Sequence, residues 1–162
     1  MIQKKICLLG AFSVGKTSLI QQFVSSLFDD KYLTTVGVKV DKKIIPRGTE
    51  EVMLIIWDLA GEDDYSNLNT KYLRGAAGYI LVVDGTRPKS LDVALSIHQQ
   101  AIETLGSVPY IIAINKADLE HEWVLTEAEF ANLNDNHPTI KTSAKSGNNV
   151  EALFSQIAHN MQ

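Results

Sequence analysis

The chain has 162 residues, 45% hydrophobic and 21% charged, and its 15 basic and 19 acidic side chains give a formal net charge of -4. A chain of this size buries on the order of 70% of its unfolded surface, so one domain spanning residues 1–162 is expected, and disordered, collagen-like and disulfide-scaffold classes are excluded. Mild acidity argues against the basic face that nucleic-acid binding needs, so no nucleic-acid partner is expected.

The first element is the apolar run Ile6 to Leu9, of strand length. It holds the one cysteine, Cys7, read as a buried, inert thiol in a reducing compartment. The preceding residues lack a signal-peptide pattern and no apolar run approaches the roughly 18 residues of a membrane span, so a cytoplasmic location is expected. Ile2 and the final residues 159–162 carry no lipidation pattern, so no direct membrane anchor is expected within this chain.

Next comes Gly10-Ala11-Phe12-Ser13-Val14-Gly15-Lys16-Thr17, which follows a strand and opens a helix. That context suits a phosphate-binding loop: glycines let successive backbone N–H groups converge on phosphate oxygens, the helix N-terminus adds positive potential, Lys16 brings a cation, and Thr17 offers a hydroxyl to Mg²⁺. An ordinary strand-to-helix turn is the competing reading for this loop alone. Val36, Val38 and Val40 then alternate with Gly37, Lys39 and Asp41, and the turn Pro46-Arg47-Gly48 leads into Val52 to Trp57, predicting a hairpin with an antiparallel edge strand. Asp58 follows Trp57 directly, at the strand tip where open α/β sheets bind ligands, placed to hold Mg²⁺ through water.

The runs Tyr79 to Val83 and Tyr110 to Ile114, like the earlier ones, predict strands of a mostly parallel sheet buried on both faces. Helical spacing is clear at Leu91, Ala94, Leu95, His98, Ala101, Ile102 and Leu105, and at Val150, Leu153, Phe154, Ile157 and Met161. Thr126 to Glu129 predicts a capping box. Asn115-Lys116-Ala117-Asp118 follows a strand, and a carboxylate there accepts both hydrogen bonds from the guanine N1–H and amino group, whereas adenine would leave it unpaired. A weaker segment, Thr142-Ser143-Ala144-Lys145, offers the Ala144 amide to the guanine oxygen. The four histidines, 98, 121, 137 and 159, lack ligand spacing, which argues against a zinc site. Arg74 and Arg87 are assigned surface or helix-end roles in preference to that of an internal arginine finger, and Asp63 and Asp64 a solvated loop.

With these four segments in this order, the sequence resembles the Ras-like small GTPases, and Trp57-Asp58-Leu59-Ala60-Gly61 with Val36-Gly37-Val38 is most similar to the Rab branch. The resemblance implies an α/β fold of the phosphate-loop type in three layers, a six-stranded mostly parallel sheet with one antiparallel strand and about five helices. It also implies a switch that binds GTP or GDP with Mg²⁺ and answers to effector, exchange-factor and activating proteins. Carried over by residue, it puts Ser13, Val14, Gly15, Lys16, Thr17 and Ser18 on the phosphates, and Tyr32 over them. Phe28 and the stem of Lys116 flank the guanine, joined by Asn115, Asp118, Ser143, Ala144 and Lys145. Thr35, preferred to Thr34, joins Thr17 and Asp58 on Mg²⁺, and Gly61 meets the γ phosphate.

Two positions depart from the family. Glu62 stands where a glutamine usually orients the attacking water, and a carboxylate there adds negative charge beside the γ phosphate and donates nothing. Phe12 replaces a small residue where a partner's arginine would enter. The expected function is a slow GTPase switch with Lys16, Thr35, Gly61 and Glu62 at the reacting phosphate; the alternative is a GTP- or GDP-binding interaction module with negligible hydrolysis. An ATP-dependent kinase, a third reading, is opposed by Asp118.

Overall fold

The structure, a computed structural model, describes residues 1–24, 32–33, 38–59 and 70–161. One sheet organises them, with strands β1 (Ile2–Gly10), β2 (Tyr32–Leu33), β3 (Lys39–Arg47), β4 (Glu50–Asp58), β5 (Ala76–Asp84), β6 (Tyr110–Asn115) and β7 (Thr139–Lys141) in the order β2-β3-β4-β1-β5-β6-β7. The five strands β4, β1, β5, β6 and β7 are parallel, and β3 returns antiparallel to β4 through a turn whose Gly48 sits at φ 63°. These are the six strands expected. The short β2 extends the sheet antiparallel beyond β3, so β3 is not its edge. Four α-helices, α1 (Lys16–Val24), α2 (Pro88–Leu105), α3 (Glu127–Asn136) and α4 (Val150–Asn160), and 3-10 segments at Thr70–Leu73 and Ala117–Glu122 complete the described residues.

Side chains alternate across a strand, and this period sorts the core into two halves. Ile6 and Leu8 of β1 join Leu19, Phe23, Leu153 and Phe154 from α1 and α4, where the rings of Phe23 and Phe154 stack at 4.0 Å. Cys7 and Leu9 face the other way, with Ala94, Ile97 and Ala101 of α2 and Leu133 of α3. Burial pushes the Cys7 thiol up to about 12, consistent with an inert core residue. The capping box of α3 forms as expected: the Thr126 hydroxyl accepts from the Glu129 amide at 3.1 Å, and the Glu129 carboxylate accepts from the Thr126 amide at 3.4 Å.

Several local expectations are corrected by packing. In β4 only Val52, Leu54 and Ile56 are fully buried, while Met53, Ile55 and Trp57 are half-buried. Trp57 is covered by the Lys5 ammonium at 3.8 Å from its ring centroid and by Tyr72 of the 3-10 segment Thr70–Leu73. On α2 the buried stripe runs through Ile97, and Ile102 is 40% exposed. Asp41, expected opposite the valines of β3, is itself buried. His98 and His137 converge although their sequence spacing suggested nothing: Tyr79 bonds His98 at 2.9 Å, Tyr110 bonds His137 at 2.7 Å, and the two imidazoles stand 5.5 Å apart. Burial and the neighbouring His137 hold the His98 pKa below its usual value. Among the described residues no group of three metal-ligating side chains forms, and no helix is long and apolar enough to cross a membrane.

Candidate functional site

The parallel strands end at one edge of the sheet, so Gly10, Asp58, Asp84, Asn115 and the segment after Lys141 are delivered to a common place. Gly10 pairs with Val82, and a Cβ added to it would lie 2.5 Å from the Val82 carbonyl oxygen. The loop turns through Ser13 (φ 62°) and Gly15 (φ 105°) into α1. Lys16 is 5% exposed, and its ammonium donates to the carbonyls of Gly10 (3.0 Å) and Ala11 (2.9 Å), so the cation lies within the curl of the loop. Burial lowers its pKa to about 8, partly offset by Asp58.

Thr17 and Asp58, both expected to hold a metal, come together. The Thr17 hydroxyl donates to Asp58 Oδ2 at 2.5 Å, while Asp58 Oδ1 is buried and has no hydrogen-bond partner among the described residues. A hydroxyl beside a carboxylate with a spare buried oxygen is an all-oxygen donor set, which suits a hard divalent cation such as Mg²⁺.

Asn115 joins the two halves of the site. Its Nδ2 donates to the Val14 carbonyl at 3.0 Å, and its Oδ1 accepts from the Thr142 hydroxyl and the Ala144 amide, both at 3.2 Å. The Ala144 amide, expected on the guanine oxygen, is therefore directed at Asn115. A Cβ on Gly15 would lie 2.2 Å from Asn115 Nδ2, so this bridge demands glycine there. The Asp118 carboxylate accepts from the Ser143 hydroxyl at 2.7 Å. Lys116 adopts φ 71°, and its ammonium pairs with buried Asp84 at 2.7 Å.

Two adjoining clefts share Gly15, Ser18 and Lys116. One, of about 840 Å³, is bordered by Asn115, Asp118, Ala144 and Lys145; the other, of about 470 Å³, by Phe12, Ser13, Lys16, Thr17 and Asp58. Of the residues predicted for the base, Asn115, Lys116, Asp118, Ala144 and Lys145 border the first cleft but buried Ser143 does not; of those predicted for phosphate and metal, Ser13, Gly15, Lys16, Thr17, Ser18 and Asp58 border the second but buried Val14 does not. Phe12 is 62% exposed at the rim, and its carbonyl accepts from the Arg87 guanidinium at 2.7 Å. Phe28, Thr34, Thr35, Gly61, Glu62, Asp63 and Asp64 lie outside the described residues, and for Tyr32 only the strand backbone is described. Sequence reasoning missed Gln21 and Gln22, which border the larger cleft, and Asp84, whose only sequence signal was its place directly after the apolar run ending at Val83.

A glycine-bearing loop curled around a lysine at the ends of parallel strands has the form of a phosphate-loop nucleotide-binding domain. The Ras family model matches residues 5–162. The chain is 35% identical over 158 residues to the GTP-binding protein Rheb homolog of Dictyostelium discoideum, covering 95% of this chain and 85% of that protein. It is 34% identical to the Ras-related protein Rab7 of Drosophila melanogaster (96% and 79% covered) and 31% identical to the Ras-related protein Rab-13 of Canis lupus familiaris (97% and 79%). The chain belongs to the Ras family and is a Ras-like, Rab-like small GTPase, a GTP-binding switch protein.

Proposed function

We propose that this chain is a single G domain over residues 1–162 that binds GTP and GDP with Mg²⁺, hydrolyses GTP slowly to GDP and phosphate, and presents its switch loops to partners in the GTP state. The observation that carries this reading is the Asn115 bridge, which fixes the base loop to the phosphate loop so that Asp118 and Lys16 stand in adjoining clefts. Asp118 accepts from the guanine, the Lys116 stem and Phe28 flank it, and Ser13 to Ser18 hold the phosphates with Lys16 as their cation. Thr17, Asp58 and Thr35 would hold Mg²⁺, which when bound neutralises charge on the phosphate oxygens. Gly61 meets the γ phosphate, and its loss on hydrolysis releases both switch loops. The protein acts in the cytoplasm, with effector, exchange-factor and activating proteins as partners.

Glu62 makes intrinsic turnover slow, because its charge opposes that of the γ phosphate and it has no N–H to donate. In single-turnover hydrolysis, Glu62→Gln and Phe12→Gly are expected to exceed wild type, Glu62→Gln by on the order of a hundredfold, the lower end of what one donor aimed at the transition state contributes. Unchanged or lower rates in both variants would remove this account. The second reading, a module that keeps its nucleotide and barely hydrolyses it, is favoured by exposed Phe12 at the rim of the phosphate cleft. No phosphate release from wild type over many hours would select it.

Lys16 also sets a pH dependence. Its cation is the form that binds phosphate, and the nucleotide-free protein loses that proton near pH 8. GDP affinity is therefore expected to fall above pH 8, by up to about tenfold per pH unit. Titration calorimetry between pH 7 and 9 checks this, and Lys16→Arg, whose charge persists, should flatten the profile.

A further inference from the structure

Lys116 is a side-chain-bearing residue held in the left-handed region, at φ 71° and ψ 39°, and such a conformation persists only where the surroundings enforce it. The enforcing contacts converge from two directions. From the sheet edge, buried Asp84 meets the Lys116 ammonium at 2.7 Å, and the Gly85 amide donates to the Asn115 carbonyl at 3.2 Å. From the far end of the 3-10 segment, the Trp123 indole N–H donates to the Lys116 carbonyl at 3.0 Å, and the Trp123 amide closes the segment onto the Glu120 carbonyl at 3.0 Å.

The indole reaches that carbonyl by lying directly on Gly85. A Cβ at position 85 would stand 2.1 Å from Trp123 Cε2 and 2.4 Å from its Nε1. Gly85 does not have a positive φ, so the backbone itself would accept another residue; what requires glycine is room for the ring. Trp123 and Gly85 are thus a matched pair, thirty-eight positions apart in the chain, and neither was singled out by motif.

We infer that Trp123, seated on Gly85, is a positioning residue for the base loop: with Asp84 it locks Lys116 and thereby aims Asp118, setting how long guanine nucleotide is retained and how strongly the base amino group is read. This inference rests on the guanine reading above. Asp118 lies two residues beyond Lys116, and the Leu119 amide donates to the same Lys116 carbonyl at 2.8 Å, so release of that carbonyl shifts the carboxylate. Inosine nucleotides lack the amino group that Asp118 accepts from, so their binding depends less on where that carboxylate points.

The experiment measures release of GDP and of inosine diphosphate from the full chain, with magnesium present, for wild type, Trp123→Phe, Asp84→Asn and Gly85→Ala. Trp123→Phe keeps a ring over Gly85 and deletes the donor, while Gly85→Ala pushes the ring away. Each variant is expected to release GDP roughly three- to tenfold faster, the effect of one net hydrogen bond, with a smaller change for inosine diphosphate. The preference for GDP should therefore shrink. Unchanged GDP release in Trp123→Phe and Asp84→Asn would overturn the inference, as would equal acceleration of both nucleotides, which marks general loosening. Asp84→Asn keeps the question answerable if the tryptophan variant does not fold. Wild type that retains neither nucleotide would overturn the guanine reading itself, and this inference with it.

Discussion

Asp118→Asn is expected to weaken GTP and GDP binding on the order of a thousandfold, because a site built to hydrogen-bond one polar edge rejects ligands that leave its groups unpaired. The geometry makes the substitution selective. Ser143 donates its one hydroxyl proton to Asp118 Oδ1 at 2.7 Å, while its oxygen accepts from the Ser146 amide at 3.0 Å. An asparagine can keep the bond from Ser143 through its carbonyl, which turns its NH₂ toward the base, donor against the donors of guanine. Xanthine offers a carbonyl where guanine has an amino group, so the variant should gain affinity for xanthosine triphosphate. Calorimetric titration of both proteins with both nucleotides checks this. Undiminished GTP affinity in the variant, or ATP bound by wild type as tightly as GTP, would end the assignment of Asp118 to the base.

Lys16→Met is expected to abolish useful nucleotide binding while raising the stability of the nucleotide-free protein. Removing one partner of a buried charge pair costs roughly 2–5 kcal/mol of binding, enough to carry GDP affinity down by about one and a half to nearly four orders of magnitude. The gain in stability has the same origin. Lys16 is protonated at pH 7 although burial has lowered its pKa from 10.5 to about 8. Between pH 8 and 10.5 the unfolded chain binds a proton that the folded chain does not, so stability rises with pH across that window, and below pH 8 the buried charge costs on the order of 3 kcal/mol. Methionine removes that cost and forfeits the bonds to the Gly10 and Ala11 carbonyls, so a smaller net stabilisation is expected. Thermal unfolding without nucleotide, set beside GDP titration, measures both effects. A variant that is less stable than wild type from pH 6 to 8 would contradict the charge-burial account.

Two buried groups of opposite charge, Lys16 and Asp58, border the phosphate cleft. Lys16 is held among carbonyls, and Asp58 keeps one buried oxygen without a hydrogen-bond partner among the described residues. An anionic phosphate would offset the burial of the first and a divalent cation that of the second, so the two groups suit ligands of opposite sign.

Much of this molecule was legible in its sequence because the information is local. Alternation along β1 sorts Ile6 and Leu8 from Cys7 and Leu9, capping chemistry at Thr126 and Glu129 starts α3, and glycines at positions 10 and 15 mark a loop that must curl. The residue types at 16, 17, 58 and 118 carry their chemistry with them, as cation, hydroxyl and carboxylates, and each follows an apolar run that ends at a predictable place. What tertiary structure alone decided are the contacts between residues distant in the chain. Asn115 reaches back to Val14, Asp84 takes the Lys116 ammonium, Trp123 settles on Gly85, and His98 meets His137. Those meetings follow from strand register, Gly10 against Val82 and Asp84 against Asn115, and register is set by packing of the whole sheet, to which no short window of sequence refers.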